Sequence, residues 1–354
     1  MNQNSEYYRI SGKIKNYSGK IYLQRAVKKE YYLGDFIKDS AQVVNGKFEF
    51  KFSKKHTFPL PFYIETEKTR TNRFILEPQN QQIIIDSLYF NVNPIIIRKN
   101  SKINEEEKIL EQKRTPLLLK FKSDWDLMKN VADSKVDFEK YAIEARNKLS
   151  NEFNLILSKF SKNHPNSYVA FWEIAHSQMY EGYNKELENA YNNLSSNIKQ
   201  TDEAKILENF MFRAKALNVG SHFPIMELKN KELKGFELNI NEISHTQYTL
   251  IDFWFSHCGP CIAQFPKLKE LYTKYPNKLK LISISTDKTK NINNWLKVLK
   301  KNNILWPNFL DETGTSSSPL GVNSFPTNFL LNKQGIIIKK NVPLVELELL
   351  LEKH

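Results

Sequence analysis

Cysteine is scarce: the 354-residue chain has two, together with seven histidines. Two thiols cannot staple a disulfide scaffold, and with so few histidines they are a poor start for a zinc site. No apolar run approaches the roughly 20 residues a helix needs to cross a bilayer, so no segment is expected to span one in that form. Met1 to Ser11 is polar and lacks the apolar stretch of a secretory leader. That fits a cytosolic protein or a mature chain without its leader. Acidic residues are outnumbered, 39 against 52 Lys+Arg, for a net charge of +13, which raises the question of an acidic partner. With 40% hydrophobic and 12% aromatic residues, wholesale disorder is excluded. At about 150 residues per domain the length implies two or three units.

The chain changes character twice. Residues 1–100 carry short alternating runs such as Lys47 to Phe52, separated by turn residues including Ser18-Gly19, Asn45-Gly46, Pro59, Pro61 and Pro78. With no helical segments between them, they point to an all-β domain, an antiparallel sandwich or small barrel. Residues 101–219 nearly lose glycine (only Gly182), and apolar residues recur at helical spacing, as in Tyr141, Ala142, Ala145 and Leu149. This predicts an α-helical connector or bundle, broken at His164-Pro165-Asn166 and with Thr201 as a helix N-cap. Residues 220–354 alternate strands and helices and end in a hairpin and a helix, as in a compact α/β domain with a mixed sheet. Net charge is +8, 0 and +5 over the three stretches. The excess in the first is spread among strands without a nucleic-acid recognition motif, and the runs Lys28-Lys29 and Lys54-Lys55 read as solvated faces.

Chemistry concentrates where the apolar strand Thr249 to Phe255 runs into Ser256-His257-Cys258-Gly259-Pro260-Cys261 and a helix. Cys258 is placed at a helix N-terminus, where unpaired amides and the helix dipole favour an anion. Its pKa is expected to fall from about 8.5 into the range of roughly 3.5 to 7.5, making it the attacking thiolate. Cys261, one turn deeper, can reach back to release a mixed disulfide. Gly259 is expected to let the turn close tightly, and Pro260, lacking an N–H, suits a helix start. Pro266 falls inside the helix. Pro326, just before a strand, suits a cis bond, and the backbone of Phe325 beside it would then be free to pair with an extended substrate segment.

The run Asp252-Phe253-Trp254 through Cys258-Gly259-Pro260-Cys261, the proline at 266, the later Phe325-Pro326-Thr327 and Asn332-Lys333-Gln334-Gly335-Ile336 resemble thioredoxin. Ser285-Thr286-Asp287, Trp295, Leu305 to Asn308 and Gly220 to Pro224 are more similar to the TlpA/ResA branch of envelope thiol-disulfide oxidoreductases. More weakly, the first 100 residues resemble a β-domain of unassigned function that precedes such domains in Gram-negative envelope proteins.

The resemblance implies a thioredoxin fold over 220–354, no cofactor beyond a redox-active Cys258–Cys261 disulfide, and no metal. It implies disulfide-bearing protein clients, an upstream thiol reductant that is soluble or membrane-bound, and no nucleic acid. The location would be the periplasm or cell envelope rather than the cytoplasm. Carried over by position, Cys258 is the nucleophile, Cys261 the resolving thiol, Pro326 the cis-proline, and Asp252 the buried base that takes the proton of Cys261. Trp254 is the aromatic beneath the site, and together with Phe325, Pro326, His257, Gly259 and Pro260 it would form the substrate-binding surface. One departure stands out: His257 occupies a position that is usually Trp. As an imidazolium it would stabilise the thiolate; otherwise it only reshapes the surface.

Blander readings compete with this one. The cysteine pair fits an inert disulfide or half a zinc site, though no second ligand pair is evident. A thiol peroxidase would want a P-x-x-x-T-x-x-C setting, which the residues before Cys258 do not supply. A binding module would make the β-domain the recognition element for an envelope protein or glycan.

Overall fold

The computed structural model describes residues 6–27, 38–55, 57–85, 95–97, 102–131, 135–243 and 246–353. It divides into two compact units: Met1–Thr115 with Leu157–His176 and Ala190–Leu207, and Pro116–Ile156 with Ser177–Asn189 and Glu208–His354. The helical stretch contributes to both. Among the described residues no helix is long and apolar enough to cross a membrane.

In the first unit β1 (Tyr7–Ile14), β2 (Gly19–Arg25), β3 (Lys38–Val43), β4 (Lys47–Ser53), β5 (Leu60–Glu65), β6 (Phe74–Leu76), β7 (Gln81–Ile85) and β8 (Ile95–Ile97) form two four-stranded sheets, ordered β4-β1-β7-β8 and β3-β2-β5-β6. Alternation along β4 buries Phe48, Phe50 and Phe52 and leaves Lys47, Glu49 and Lys51 in solvent. Phe52 meets Phe62 of the other sheet edge-on, ring centroids 5.7 Å apart, so the two inner faces share a core. The turn between β3 and β4, closed by the antiparallel bridge of Val44 and Lys47, carries Asn45 and Gly46 at φ of 50° and 70°, the left-handed pair a two-residue loop requires. A Cβ on Gly46 would sit 2.9 Å from the Ile14 carbonyl oxygen.

One pairing departs from the antiparallel expectation: β1 and β7 run parallel. The chain reaches β7 only after building the second sheet, so no tight turn imposes an antiparallel direction. β3 (KDSAQV) lacks an apolar alternation and escapes sequence reading; its register with β2 holds it in place. Lys54 and Lys55 are exposed, while Lys28 and Lys29 lie outside the described residues.

The helices are α1 (Lys102–Val131), α2 (Lys135–Asn163), α3 (Tyr168–Glu181), α4 (Lys185–Asn192), α5 (Ser196–Lys199) and α6 (Asp202–Ala214). The break at His164-Pro165-Asn166 is present, and Thr201 Oγ1 accepts the Ala204 amide at 3.3 Å as N-cap of α6. Within the first unit, the buried Trp172 indole donates to the Pro59 carbonyl at 2.7 Å.

Next to it Glu173 pairs with Arg73 and lies 3.9 Å from Arg114. Burial opposes ionisation of Glu173, but Arg73 and Arg114 outweigh it and hold the carboxyl below its ordinary range. Burial and Arg73 push His176 down to about 3, so it stays neutral. Glu173→Ala leaves buried guanidinium charge without its counter-ion and is expected to cost about 3–5 kcal/mol. Urea unfolding checks this, and Glu173→Gln, still an acceptor, should cost less.

The second unit is built on a seven-stranded sheet, β10-β9-β13-β12-β11-β14-β15, from β9 (Met226–Lys229), β10 (Gly235–Leu238), β11 (Tyr248–Trp254), β12 (Leu279–Ser285), β13 (Asn308–Leu310), β14 (Thr327–Asn332) and β15 (Ile337–Lys340). Short α7 (Ile240–Ile243) precedes β11, and α8 (Gly259–Lys274), α9 (Ile292–Lys301) and α10 (Leu344–Lys353) follow in turn. β11 pairs in parallel with β12 and antiparallel with β14, the mixed sheet expected. As an interior strand with a core on each face it is covered on both sides, which accounts for its near-continuous apolar run. Leu250 and Trp254 point into one core with Cys258, Cys261 and Phe265; Ile251 and Phe253 point into the other with Ile282 and Phe329.

Candidate functional site

The end of β11 delivers its chain to the N-terminus of α8. Cys258 is the N-cap, with extended backbone (φ −82°, ψ 93°), and its Sγ accepts the Cys261 amide at 3.2 Å. Pro260 stands in the first turn of α8, where its missing N–H costs nothing. Cys258 and Cys261 are joined as a disulfide, Cα atoms 5.3 Å apart. Cys258 keeps 4% of its surface and Cys261 2%, while His257, Gly259 and Pro260 around them are exposed.

The role expected for Gly259 needs correcting. Its φ is not left-handed, and a Cβ there would meet nothing within 4 Å. The turn does not require glycine for closure, and a side chain there would point into open space.

By strand alternation Asp252 shares the face of Leu250 and Trp254, which pack in one core with both cysteines. It is 3% exposed. Burial pushes its carboxyl up to about 7, opposed only by a long hydrogen bond from Ser283 Oγ at 3.5 Å. Trp306 Nε1 in turn donates to Ser283 Oγ at 2.8 Å. Trp254, expected on the substrate-binding surface, is instead wholly buried, edge-on to Phe265 at 5.0 Å, because its ring fills the core of this face of the sheet.

The Phe325–Pro326 bond is cis. Phe325, half-buried, stacks edge-on with Phe255 at 5.4 Å, and both pack against the core that contains the two cysteines. That contact brings the Pro326 loop to the dithiol although the two are far apart in sequence.

The same loop is braced from behind. Ser324 Oγ donates to the Tyr180 carbonyl at 3.0 Å, and Lys340 Nζ, pushed down by burial to about 8, donates to the Glu181 carbonyl. Gly321, at φ 84°, lies so close to Gly182 that a Cβ would come 2.9 Å from the Gly182 Cα. Gly321→Ala combines a left-handed backbone with a clash against backbone and is expected to cost about 2–4 kcal/mol. Chemical denaturation measures the loss, and faster amide exchange over 177–189 would locate it.

Sequence reading gave no site role to Ser256, Ser283, Asp287 or Asn294. Asp287, 2% exposed, accepts the Ser256 amide at 2.8 Å and the Ser256 and Ser285 hydroxyls at 2.7 Å each. The one available signal was a Ser-Thr-Asp run at the end of a buried strand, where polar side chains need partners.

Comparison with known proteins finds similarity to different family models at the two ends of the chain. Residues 246–337 match the thioredoxin-like family model, and residues 8–107 match a domain of unknown function, DUF4369. Among curated proteins, the chain is 26% identical over 137 residues to the thiol-disulfide oxidoreductase ResA of Bacillus thuringiensis subsp. konkukian, covering 38% of this chain and 76% of the relative. It is 27% identical over 114 residues to the sporulation thiol-disulfide oxidoreductase A of Bacillus subtilis, covering 32% and 68%. Among solved structures, the thioredoxin domain of a thiol-disulfide oxidoreductase from Bacteroides vulgatus matches at 24% identity and a TM-score of 0.34, covering 39% of this chain and 97% of that one.

Proposed function

We propose, from the premise that the C-terminal domain of this chain is a TlpA/ResA-like member of the thioredoxin superfamily, that the protein catalyses thiol–disulfide exchange and reduces disulfides in protein clients. The observation that carries this reading is the Cys258–Cys261 pair at the N-terminus of α8, with the Cys258 sulfur already accepting a helix amide. In the reduced protein that amide and the helix dipole favour the Cys258 thiolate.

The thiolate attacks one sulfur of a client disulfide, forms a mixed disulfide and expels the other sulfur as a thiolate. Asp252 takes the proton of Cys261. The Cys261 thiolate then attacks the Cys258 sulfur, closing the internal disulfide and expelling the second client thiolate. The client gains two electrons and ends as a dithiol; a separate thiol reductant, soluble or membrane-bound, returns two electrons to Cys258–Cys261. No other cofactor is required. With a carboxyl near neutrality, Asp252 is suited to hold the proton in one half of the cycle and release it in the other. Phe325, beside cis-Pro326, offers its backbone to an extended client segment, and the exposed His257, Gly259 and Pro260 frame the approach. The site of action in this reading is the periplasm or cell envelope, as the resemblance to envelope thiol-disulfide oxidoreductases implies.

The direction of net transfer follows from the reduction potential. A value near −270 mV supports a reductase, and one near −120 mV an oxidase. Dithiothreitol-driven insulin reduction tests the reading as a whole: no acceleration by the intact protein would end it.

A further inference from the structure

His257 precedes the nucleophile, and both ring nitrogens are engaged. Nδ1 lies 3.1 Å from Ser256 Oγ, and Nε2 lies 3.0 Å from Asn294 Nδ2 on α9. The direction of each bond follows from what its partners can do. The Asp287 carboxylate only accepts, so the single Ser256 hydroxyl proton goes to it. Ser256 Oγ must then accept, which places a proton on His257 Nδ1. An amide nitrogen only donates, so Nε2 accepts from Asn294. In this arrangement the imidazole is neutral and fully satisfied.

A half-turn of the Asn294 amide presents Oδ1 instead of Nδ2, and Oδ1 accepts from a protonated Nε2. Nothing else has to move. The resulting imidazolium would donate through Ser256 to Asp287, which is buried and has no ion-pair partner among the described residues. Other charged groups on the surrounding elements are Lys288 and Lys290 in the loop after β12, Lys297 in α9 and Asp252 in β11. None of them bonds to the imidazole among the described residues.

We propose that Asp287, Ser256 and Asn294 are positioning residues that hold the ring of His257, the residue preceding Cys258, in a frame that accepts either proton state, so that protonation of His257 favours the Cys258 thiolate. This rests on the exchange chemistry proposed above. It adds that the site's reactivity is coupled to pH through a group outside the Cys258–Cys261–Asp252 set. A neighbouring cation lowers a thiol pKa, and two groups interacting this way titrate as a coupled pair.

The test is the rate of Cys258 alkylation by iodoacetamide in the reduced full-length protein across roughly pH 4 to 10, with the His257 ring followed by NMR in the same samples. The intact protein should show two coupled inflections. His257→Phe should leave one, with the Cys258 pKa raised by about one unit, a roughly tenfold smaller thiolate fraction at about pH 6. His257→Lys, a permanent cation, should restore the low value without the second inflection. Ser256→Ala and Asn294→Ala, the latter on an exposed helical position, should each move the profile in the same direction by less.

An unchanged profile in His257→Phe overturns the proposal, as does a shift in that variant alone with Ser256→Ala and Asn294→Ala both unchanged. Insulin reduction by the intact protein, run in parallel, separates the two claims. Turnover with a flat alkylation comparison removes only the His257 frame, and absent turnover removes the exchange reading.

Discussion

Cys258→Ser is expected to bring insulin reduction down to the uncatalysed background, a loss of more than about 10³-fold, because the remaining thiol, Cys261, is buried one turn into the helix and lacks the N-cap position that favours a thiolate. Serine is nearly isosteric and keeps an oxygen to accept the Cys261 amide at the N-cap position. The fold should therefore survive, and the loss can be read as chemistry. Cys261→Ala should behave differently. Attack by Cys258 still occurs, but no thiol resolves the product, so mixed disulfides with clients accumulate and can be isolated under non-reducing conditions. Doubling the variant to Cys258→Ser/Cys261→Ala should abolish that capture. Capture that persists in the double variant would instead assign client binding to a surface elsewhere in the chain.

The second large effect concerns stability. Asp252 has a carboxyl raised from 3.8 to about 7 by burial. An unfolded chain gives up this proton at about pH 4, whereas the native state holds it to about pH 7, so the native state binds more protons in between. Stability from this group therefore falls as pH rises through that window. A shift from 3.8 to about 7 corresponds to about 4 kcal/mol once both states are ionised. Asp252→Asn removes the titration. Urea unfolding of the disulfide form at about pH 8 should show the variant stabilised by up to about 4 kcal/mol, with little difference at about pH 4. Activity should move the opposite way: without a base, Cys261 ionises more slowly, and the pH dependence of turnover loses the limb that Asp252 supplies. Equal stability differences at both pH values would show that the carboxyl titrates normally and is not the base.

These two residues were legible at different depths. The dithiol could be read directly, because a strand ending in Cys258-Gly259-Pro260-Cys261 and followed by an amphipathic run fixes both the helix start and the position of the first thiol. Asp252 could be placed six residues upstream only through family resemblance, and its carboxyl near 7 follows from its burial. Apart from β13, three residues that the sequence reading did not identify as a strand, the main strands and helices from 248 to 353 were predictable because each carries its own periodicity and end signals. By contrast, β3, β8 and the β9–β10 hairpin are short, and neighbouring strands rather than their own pattern hold them.

What the sequence alone determined is local: a β-rich first stretch, a helical middle, an α/β end, and a nucleophile at a helix N-terminus. These depend on residues within a few positions of one another, where backbone propensity and side-chain period act. The tertiary structure decided the long-range associations. It brought the loop of cis-Pro326 against Phe255, set Gly182 against Gly321, joined β1 to β7 in parallel, and gathered Ser256, Asp287 and Asn294 around His257. Contacts of that kind depend on which buried polar groups must share hydrogen bonds and which apolar faces close on each other after the chain has folded. No spacing along the sequence encodes them.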